Sequence, residues 1–413
     1  MEQAPKYWAH NFEFVGYHDL KGTPAFKLAL DVINGRWYLY TGTFWTPHVN
    51  ILDVTDPENP VLVNQMLGGG PNNTSAANVN VANGIMVLAN EKLVGGWGYC
   101  VDKENPAFDE GIKIYDLRDD PANPKLLSHW KTNSQGTHRN HFAGDGYIHA
   151  SAYMPGYHGM IYVILDVSDL RNPHEIGRWF VHNQFEDGGG VVEFTTNGLH
   201  GPAQVVGNRA YLPYGNFGAI ILDISDYTRP RLVSRTTFGS AFSNRVGVHT
   251  FLPLIGTNLA LMGDESITEE MEGGFSFIYV VDISDEKKPR IMAPFPNPVP
   301  TPEMPFKNFQ TRGGKFGPHN WIVPQPHNPN VAKFDGKTLF NAWFNAGLRA
   351  FDISDPYVPV ETGFFLPADP LKRTGVQPIK SLTTSSEDII ADSRGYIYMS
   401  DKNHGIFIVK YTG

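Results

Sequence analysis

The sequence predicts an all-β protein, a β-propeller with seven blades of four antiparallel strands each. Three observations lead to this fold class. The 413 residues include 42 glycines and 31 prolines, a composition that suits short strands and tight turns. No stretch of about 12 residues or more has the spacing of an amphipathic helix. One short motif recurs at intervals of roughly sixty residues, which is typical of a repeat architecture.

The repeated motif consists of an apolar strand end, an aspartate-rich turn and a closing proline. Its six copies are ILDVTDPENP (51–60), IYDLRDDPANP (114–124), ILDVSDLRNP (164–173), ILDISDYTRP (221–230), VVDISDEKKP (280–289) and AFDISDPYVP (350–359). Aspartate and serine side chains are suited to accept the amide hydrogens of a turn. Proline fits the start of a strand at a position that need not donate a ladder bond. We therefore expect each copy to join the third and fourth strands of a blade.

Strand-like segments around the motif give the number of blades. Two segments precede each copy and one follows it, and the tail 388–413 holds three more. The N-terminal segment NFEFVGYHDL (11–20) resembles the strand that follows each proline, and pairing it with the tail would complete a seventh blade without an open edge. The expected blades of the single domain 1–413 are 23–66, 77–131, 137–181, 199–237, 248–294, 318–365, and 386–413 together with 11–20.

The six copies resemble the turn of the LVIVD-repeat β-propellers, whose signature reads LxVxDVSDPxxP. The resemblance covers nearly the whole chain and implies the propeller fold. It implies no particular function, because such propellers include binding and surface proteins as well as enzymes.

Charge and composition exclude several classes of function. The net charge is −9 with no basic run, so we expect no nucleic-acid partner. No apolar stretch is long enough to span a bilayer. The N-terminus lacks a charged region followed by an apolar one, so we expect a cytoplasmic protein, or a periplasmic or secreted one if a leader has been removed. Cys100 is the single cysteine, which excludes an intramolecular disulfide and thiolate metal clusters.

Long loops are expected on one face of the propeller. With the strands of a blade lettered A to D from the channel outward, the D–A and B–C connections share a face. The long D–A connections are 179–199 and 292–318, and the long B–C insertions are 91–110 and 264–274. Long loops on one face of a rigid scaffold commonly build a binding site.

Four consecutive blades carry a histidine at about the same position, the loop-rich end of the innermost strand. These residues are His138, His200, His249 and His319. Each alone would be interpreted as a hydrogen-bonded core residue. The other three blades carry Lys27, Ala76, and Ser385 or Glu387 near this position. Because a shared ligand would keep the histidines on one arc of the ring, the set predicts a metal site.

The type of ligand limits the choice of metal ion. Four neutral imidazoles suit iron, copper, zinc or nickel better than magnesium or calcium. Fe(II) is the expected ion, with Cu, Mn or Zn as alternatives, and an octahedral iron would keep one or two positions open for O₂ and substrate. Structural histidines and metal-free acid–base chemistry are the other interpretations.

Further polar residues on the loop-rich face are expected to assist the four histidines. Carboxylates should accept hydrogen bonds from the free ring N–H groups, and the candidates for this role are Glu91, Asp264 and Glu387. Glu265 is a candidate for the same role and for catalysis. His404 and His141 are the candidates for a further ligand, a proton carrier or a catalytic base.

The four-histidine set resembles that of the carotenoid- and lignostilbene-cleaving dioxygenases in architecture and ligand type. In those seven-bladed propellers, four inner-strand histidines hold a non-haem Fe(II). The resemblance implies oxygenase chemistry by analogy only, because the chain is shorter and shares no motif beyond the histidines. Other propellers use histidine clusters for copper redox chemistry or for Mn-assisted polysaccharide lyase chemistry.

Aromatic residues in and near the loops indicate a class of substrate. The segments are 43–48, 95–99, 179–185, 318–323 and 340–344. Aromatic-lined pockets suit flat or apolar molecules, although packing between blades would account for part of these rings. We expect a metal-dependent oxygenase that acts on an aromatic or unsaturated small molecule. The alternatives are a metal-assisted lyase or isomerase and a non-catalytic binding propeller.

Overall fold

The structure is a computed structural model that describes residues 5–68, 70–93, 102–186, 198–237, 246–323, 325 and 327–413. Cys100 and the aromatic segment 95–99 lie outside the described residues, as do parts of the expected loops 91–110 and 179–199. Within the described ranges, no helix has the length and apolar character needed to cross a bilayer.

Short strands account for most of the regular structure. The first fourteen are β1 (Tyr7–His10), β2 (Phe12–His18), β3 (Leu28–Ile33), β4 (Arg36–Gly42), β5 (Val49–Asp53), β6 (Val61–Met66), β7 (Thr74–Ala82), β8 (Ile85–Lys92), β9 (Gly111–Asp116), β10 (Lys125–Trp130), β11 (Gly136–Phe142), β12 (Tyr147–Tyr153), β13 (Met160–Asp166) and β14 (His174–Trp179). The next fourteen are β15 (Gln204–Val206), β16 (Arg209–Pro213), β17 (Ala219–Asp223), β18 (Arg231–Thr236), β19 (Val248–Leu254), β20 (Leu259–Asp264), β21 (Ile278–Asp282), β22 (Arg290–Pro294), β23 (Thr338–Ala342), β24 (Leu348–Asp352), β25 (Val360–Pro367), β26 (Ser386–Ala391), β27 (Tyr396–Asp401) and β28 (Gly405–Tyr411). Two 3₁₀ turns, Leu20–Gly22 and His182–Gln184, lie between strands.

The strands form antiparallel sheets of four. Consecutive strands make the sheets β3–β6, β15–β18 and β19–β22. The groups β7–β10 and β11–β14 have the same arrangement, and one residue pair, Gly136 opposite Glu91, joins them into an eight-stranded sheet. The prediction of an all-β chain built from repeated four-stranded antiparallel sheets is therefore confirmed.

The N-terminal strand completes the last sheet. β2 pairs with β28, from Phe12 opposite Tyr411 to His18 opposite Ile406, in the order β2-β28-β27-β26. This is the pairing that the sequence predicts for residues 11–20. β1 was not foreseen, and it extends the neighbouring sheet by pairing with β25. Together β1 and β2 link two adjacent sheets.

The sheet β1-β25-β24-β23 differs from the prediction at its inner edge. The sequence predicts a regular innermost strand from residue 318, but the segment 318–323 contacts β23 through a few hydrogen bonds and the bridge between Trp321 and Asn341. The sequence PHNWIVPQP contains three prolines, which lack the amide hydrogen that a regular strand needs. The segment still lies along the free edge of β23, where an innermost strand would lie.

The six copies of the motif fold into the same turn. In every copy, the first aspartate accepts a hydrogen bond from the backbone N–H two residues later, at 2.6–3.0 Å. The closing proline stands immediately before the fourth strand of its sheet in all six. The predicted aspartate turns between third and fourth strands are thus confirmed.

The hydrophobic core lies between neighbouring sheets. For example, Leu252 and Leu261 of the β19–β22 sheet pack in one cluster with Trp343, Phe351 and Phe364 of the next sheet. This packing fixes each sheet against its neighbours, so that the starts of several inner strands come close together.

Candidate metal centre

The structure brings the four predicted histidines into one row. His138 is the third residue of β11, and His249 is the second residue of β19. His200 lies four residues before β15, and His319 lies in the irregular segment 318–323 beside β23. The ring centroids of His138 and His200 are 4.7 Å apart, those of His200 and His249 are 5.4 Å apart, and those of His249 and His319 are 4.9 Å apart. Four residues that are far apart in sequence therefore form one continuous cluster.

Glu265 lies at the centre of this row. It immediately follows β20, and its side chain is 6% exposed. One carboxylate oxygen, Oε2, lies 3.6 Å from Nδ1 of His200 and 3.5 Å from Nε2 of His249. The other oxygen, Oε1, lies 3.7 Å from Nε2 of His319. The carboxylate thus faces three of the four rings.

Three atoms of the cluster have no hydrogen-bond partner among the described residues. They are Nδ1 of His200, Nε2 of His249 and Oε2 of Glu265. Potential ligand atoms of these three residues all lie within 4.8 Å of one another. An unsatisfied buried polar atom costs about 1–3 kcal/mol. Because these three atoms lie close together, one cation could bind all of them.

Hydrogen bonds on the far side of two rings fix their orientation. Nδ1 of His319 donates to the backbone carbonyl of Glu387 at 2.7 Å, which leaves Nε2 as the lone-pair nitrogen that faces Glu265. Nδ1 of His138 pairs with Oε2 of Glu91 at 2.6 Å. This carboxylate–histidine arrangement is typical of metal-binding histidines. Glu387 acts chiefly through its carbonyl, while its Oε2 lies 3.4 Å from the same nitrogen.

Burial keeps the imidazoles neutral. It lowers the pKa of His200, His249 and His319 well below the ordinary histidine value, because the charged form loses its hydration. The positive charge of Arg139 lowers the pKa of all three further. Neutral rings offer the lone pairs that a metal ion requires.

The structure places the other predicted site residues elsewhere. Asp264 accepts a hydrogen bond from the backbone N–H of Phe277 at 2.6 Å, and burial raises its pKa to about 8. Nε2 of His404 contacts the carbonyl of Ala368 at 2.9 Å, and the ring lines a separate surface cavity of about 690 Å³. His141 lies three residues beyond His138 on β11 and borders a different, small cavity of about 40 Å³.

Four buried cations around the cluster were missed by reasoning from sequence. They are Lys27, Arg139, Lys315 and Lys402. Lys27 pairs with Asp388 at 2.8 Å, and Lys402 pairs with Oε1 of Glu387 at 2.5 Å. One signal existed in the sequence, since Lys27 occupies the position at which four other blades carry histidine. The other three cations follow no repeat and leave no such signal.

Some of the predicted aromatic residues border the cluster and others belong to the core. Phe344 stacks on His319 with ring centroids 4.7 Å apart, and Phe44 lies edge-on to His138 at 6.0 Å. Phe26, which was not foreseen, lies 6.1 Å from His319. Trp321 and Trp343 instead pack in the core between sheets. Aromatic side chains thus form part of the wall beside the histidines.

Comparison with known proteins supports the fold. Residues 203–237 match the family model described as the LVIVD repeat. The matched residues include the fourth copy of the motif, 221–230. The chain therefore carries an LVIVD repeat, as its sequence predicts. No curated protein sequence matches the chain.

Several solved structures share the architecture. One is U3-55K, with a TM-score of 0.57 and 8% identity over 97% of this chain and 98% of that chain. Another is the WD40 repeats of RRP9, with a TM-score of 0.56 and 8% identity over 98% and 99% of the two chains. A third is the periplasmic gluconolactonase PpgL of Pseudomonas aeruginosa, with a TM-score of 0.55 and 10% identity over 91% and 99%. At these identities the likeness establishes a β-propeller-like fold and nothing about activity.

Proposed function

We propose that the chain is a seven-bladed β-propeller oxygenase with a non-haem Fe(II) centre, and that it acts on an aromatic or unsaturated small molecule. The blade count treats the two halves of the eight-stranded sheet as separate blades, with the boundaries that the sequence predicts. Cu, Mn or Zn are the alternative ions. The ligand core in this proposal is His200, His249 and Glu265.

One observation carries the proposal. The three unsatisfied atoms of these residues are buried together, and two contacts of Glu265 Oε2, at 3.5 and 3.6 Å, have the scale of ligand separations. Two atoms that each lie about 2.1 Å from one ion are about 3.0–3.4 Å apart at angles of 90–109°. A small inward movement of the side chains would therefore bring all three into one coordination sphere.

The chemistry of this set favours iron. Two histidines and one carboxylate with open positions are the ligand set of many non-haem Fe(II) oxygenases. His319 is the proposed fourth ligand, because its lone-pair nitrogen faces the same carboxylate. His138, oriented by Glu91 and stacked on His200, completes the row. Compared with the prediction of four histidine ligands, this proposal moves Glu265 from catalysis to metal binding.

The protein's own residues supply binding and orientation. When bound, Fe(II) would supply the capacity to activate O₂. Glu265 and the neutral imidazoles would hold the ion, while Glu387 and Glu91 keep two rings in place through hydrogen bonds. Phe344 and Phe44 contact the two ends of the histidine row, at His319 and at His138. The proposal gives no role to His404 or His141, because their described contacts lie elsewhere.

Nitric oxide tests the open coordination position without a known substrate. The protein is loaded anaerobically with Fe(II), exposed to nitric oxide and examined by electron paramagnetic resonance. We expect the high-spin iron–nitrosyl signal from wild type and its loss in Glu265→Ala. Asp264→Asn, which changes the adjacent carboxylate, should retain the signal. Iron that is bound but gives no nitrosyl signal would contradict an oxygenase and favour a metal-assisted lyase or isomerase.

A further inference from the structure

The surroundings of the proposed centre contain two cations without a close counterion. Arg139 is 2% exposed, and its Nε and Nη1 have no hydrogen-bond acceptor in the described part of the chain. Lys315 is 7% exposed, and no carboxylate of a described residue lies within 4.0 Å of its Nζ. Burying a charged side chain without a partner is unfavourable, so such groups are expected to have a ligand.

Both cations lie close to the proposed metal centre. Nζ of Lys315 lies 5.2 Å from the ring of Phe344, which stacks on His319 with ring centroids 4.7 Å apart. The guanidinium of Arg139 lies 4.7 Å from the ring of Phe26, and that ring lies 6.1 Å from His319. Each cation is therefore separated from the same histidine by one aromatic ring.

Glu269 is the other acid near Lys315, but it has different partners. Its carboxylate accepts the backbone N–H groups of Ile379 and Lys380. Glu269 is therefore not the counterion of Lys315.

Aromatic rings stand beside the same cations. Nζ of Lys315 lies 5.2 Å from the ring of Phe344, and Nζ of Lys402 lies 5.3 Å from Trp45. The guanidinium of Arg139 lies 4.7 Å from Phe26, which contacts Phe44 at 4.9 Å. A ligand that binds beside these side chains would contact positive charge and flat apolar surface together.

We infer that the substrate is an aromatic carboxylate, whose carboxylate group binds Arg139 and Lys315 while its ring lies against the aromatic wall beside the metal. The inference rests on the proposed function and names the substrate class of that site. A carboxylate is favoured over a phenol because it is ionised at neutral pH and because the planar guanidinium matches its two oxygens.

Benzoate and benzamide form the test pair, since they have nearly the same shape but differ in charge. Binding of each to the Fe(II)-loaded protein is measured anaerobically by calorimetry, with iron content determined on the same sample. We expect benzoate to bind about 10- to 100-fold more tightly than benzamide, as the loss of a charge-assisted hydrogen bond would give. Lys315→Met should remove most of this preference and leave benzamide binding and iron content unchanged.

Lys337→Met, which changes an exposed lysine, is the matched control and should behave as wild type. Equal affinities for the two probes, no benzoate binding at millimolar concentration, or an unchanged preference in Lys315→Met would overturn the inference. Protein that takes up no iron would instead overturn the proposed function. Iron content and probe preference are separate readouts, so the two failures are distinguishable. The test substitutes Lys315, which is less buried than Arg139, so it needs no variant of the deeply buried Arg139.

Discussion

At the residue scale, the properties of the centre depend on which way individual side chains face. Glu265 and Asp264 are adjacent, yet Glu265 faces three histidines while Asp264 accepts a hydrogen bond from its own loop. His138 and His249 hold equivalent sequence positions, but only His249 has a ring nitrogen within 4 Å of Glu265. The two histidines should therefore contribute unequally to metal binding.

Alanine variants of His249 and His138 test this difference. His249→Ala removes a proposed core ligand, and we expect Fe(II) affinity to fall by more than about 100-fold. His138→Ala removes a flanking ring, and a decrease of about 10-fold is expected. Affinity is measured by competition with a chelator, and His10→Ala on exposed strand β1 serves as control. Equal losses in the two variants, or unchanged affinity in His249→Ala, would contradict the assignment.

The sequence predicted that the four histidines lie close together because strand position repeats between blades. Aligning the inner strands was enough to find His138, His200, His249 and His319, and the loop-rich face indicated Glu91. The proposed metal-binding role of Glu265 did not follow from position, since the conformation of the loop after β20 decides which of two adjacent carboxylates faces the histidines. Arg139 was missed because it has no counterpart in the other blades.

At the element scale, each copy of the repeated turn is stabilised by hydrogen bonds that its first aspartate accepts. Two members show its effect most clearly. The side chain of Arg118 is the main cause that holds the pKa of Asp116 at about 2, and hydrogen bonds from Ser284 hold that of Asp282 at about 2. The pKa of the equivalent aspartate is lowered in the other four copies as well.

Acid should therefore weaken the turns. A carboxylate whose pKa is lowered by folding stabilises the protein above its unfolded pKa of about 3.9, and this contribution is lost as pH falls towards about 2. We expect the urea midpoint of wild type to decrease more between pH 5 and pH 3 than that of the double variant Asp116→Asn/Asp282→Asn. The double variant should already be less stable at pH 5. Identical pH dependence in the two proteins would contradict the role of these carboxylates.

Local chemistry also explains where element prediction succeeded. The six turns and the strands on either side were predictable because aspartate, serine and proline act on their immediate neighbours. β1 was not, because it is stabilised by pairing with β25, more than 350 residues away. The irregular segment 318–323 shows the opposite case, because this segment of a proline-rich sequence does not form the strand that the repeat pattern predicts.

At the scale of the whole molecule, β2 connects the first turn of the repeat with the last sheet. Gly16 of β2 lies against the turn of the first copy, and a Cβ atom at this position would be 2.1 Å from the carbonyl oxygen of Pro57. The backbone of the turn cannot give way as a flexible side chain could. Because of this close approach, a substitution at Gly16 tests the packing of β2 against the first turn.

Gly16→Ala should loosen this contact. We expect a loss of about 1–3 kcal/mol in the free energy of unfolding, the usual cost of overpacking, together with faster proteolysis near the N-terminus. Urea unfolding and limited proteolysis measure the two effects. Glu13→Ala in the same strand changes an exposed side chain and should have little effect on either. Wild-type stability in Gly16→Ala would show that β2 does not need this close contact.

The metal content of the purified protein tests the central claim most directly. After anaerobic incubation with Fe(II) and removal of unbound ion, elemental analysis should find about one iron per chain in wild type and much less in Glu265→Ala. The same measurement with Cu(II), Mn(II) and Zn(II) ranks the alternative ions. Less than about 0.2 metal per chain with every ion would contradict the account. The histidine row and Glu265 would then be buried polar residues that bind no metal.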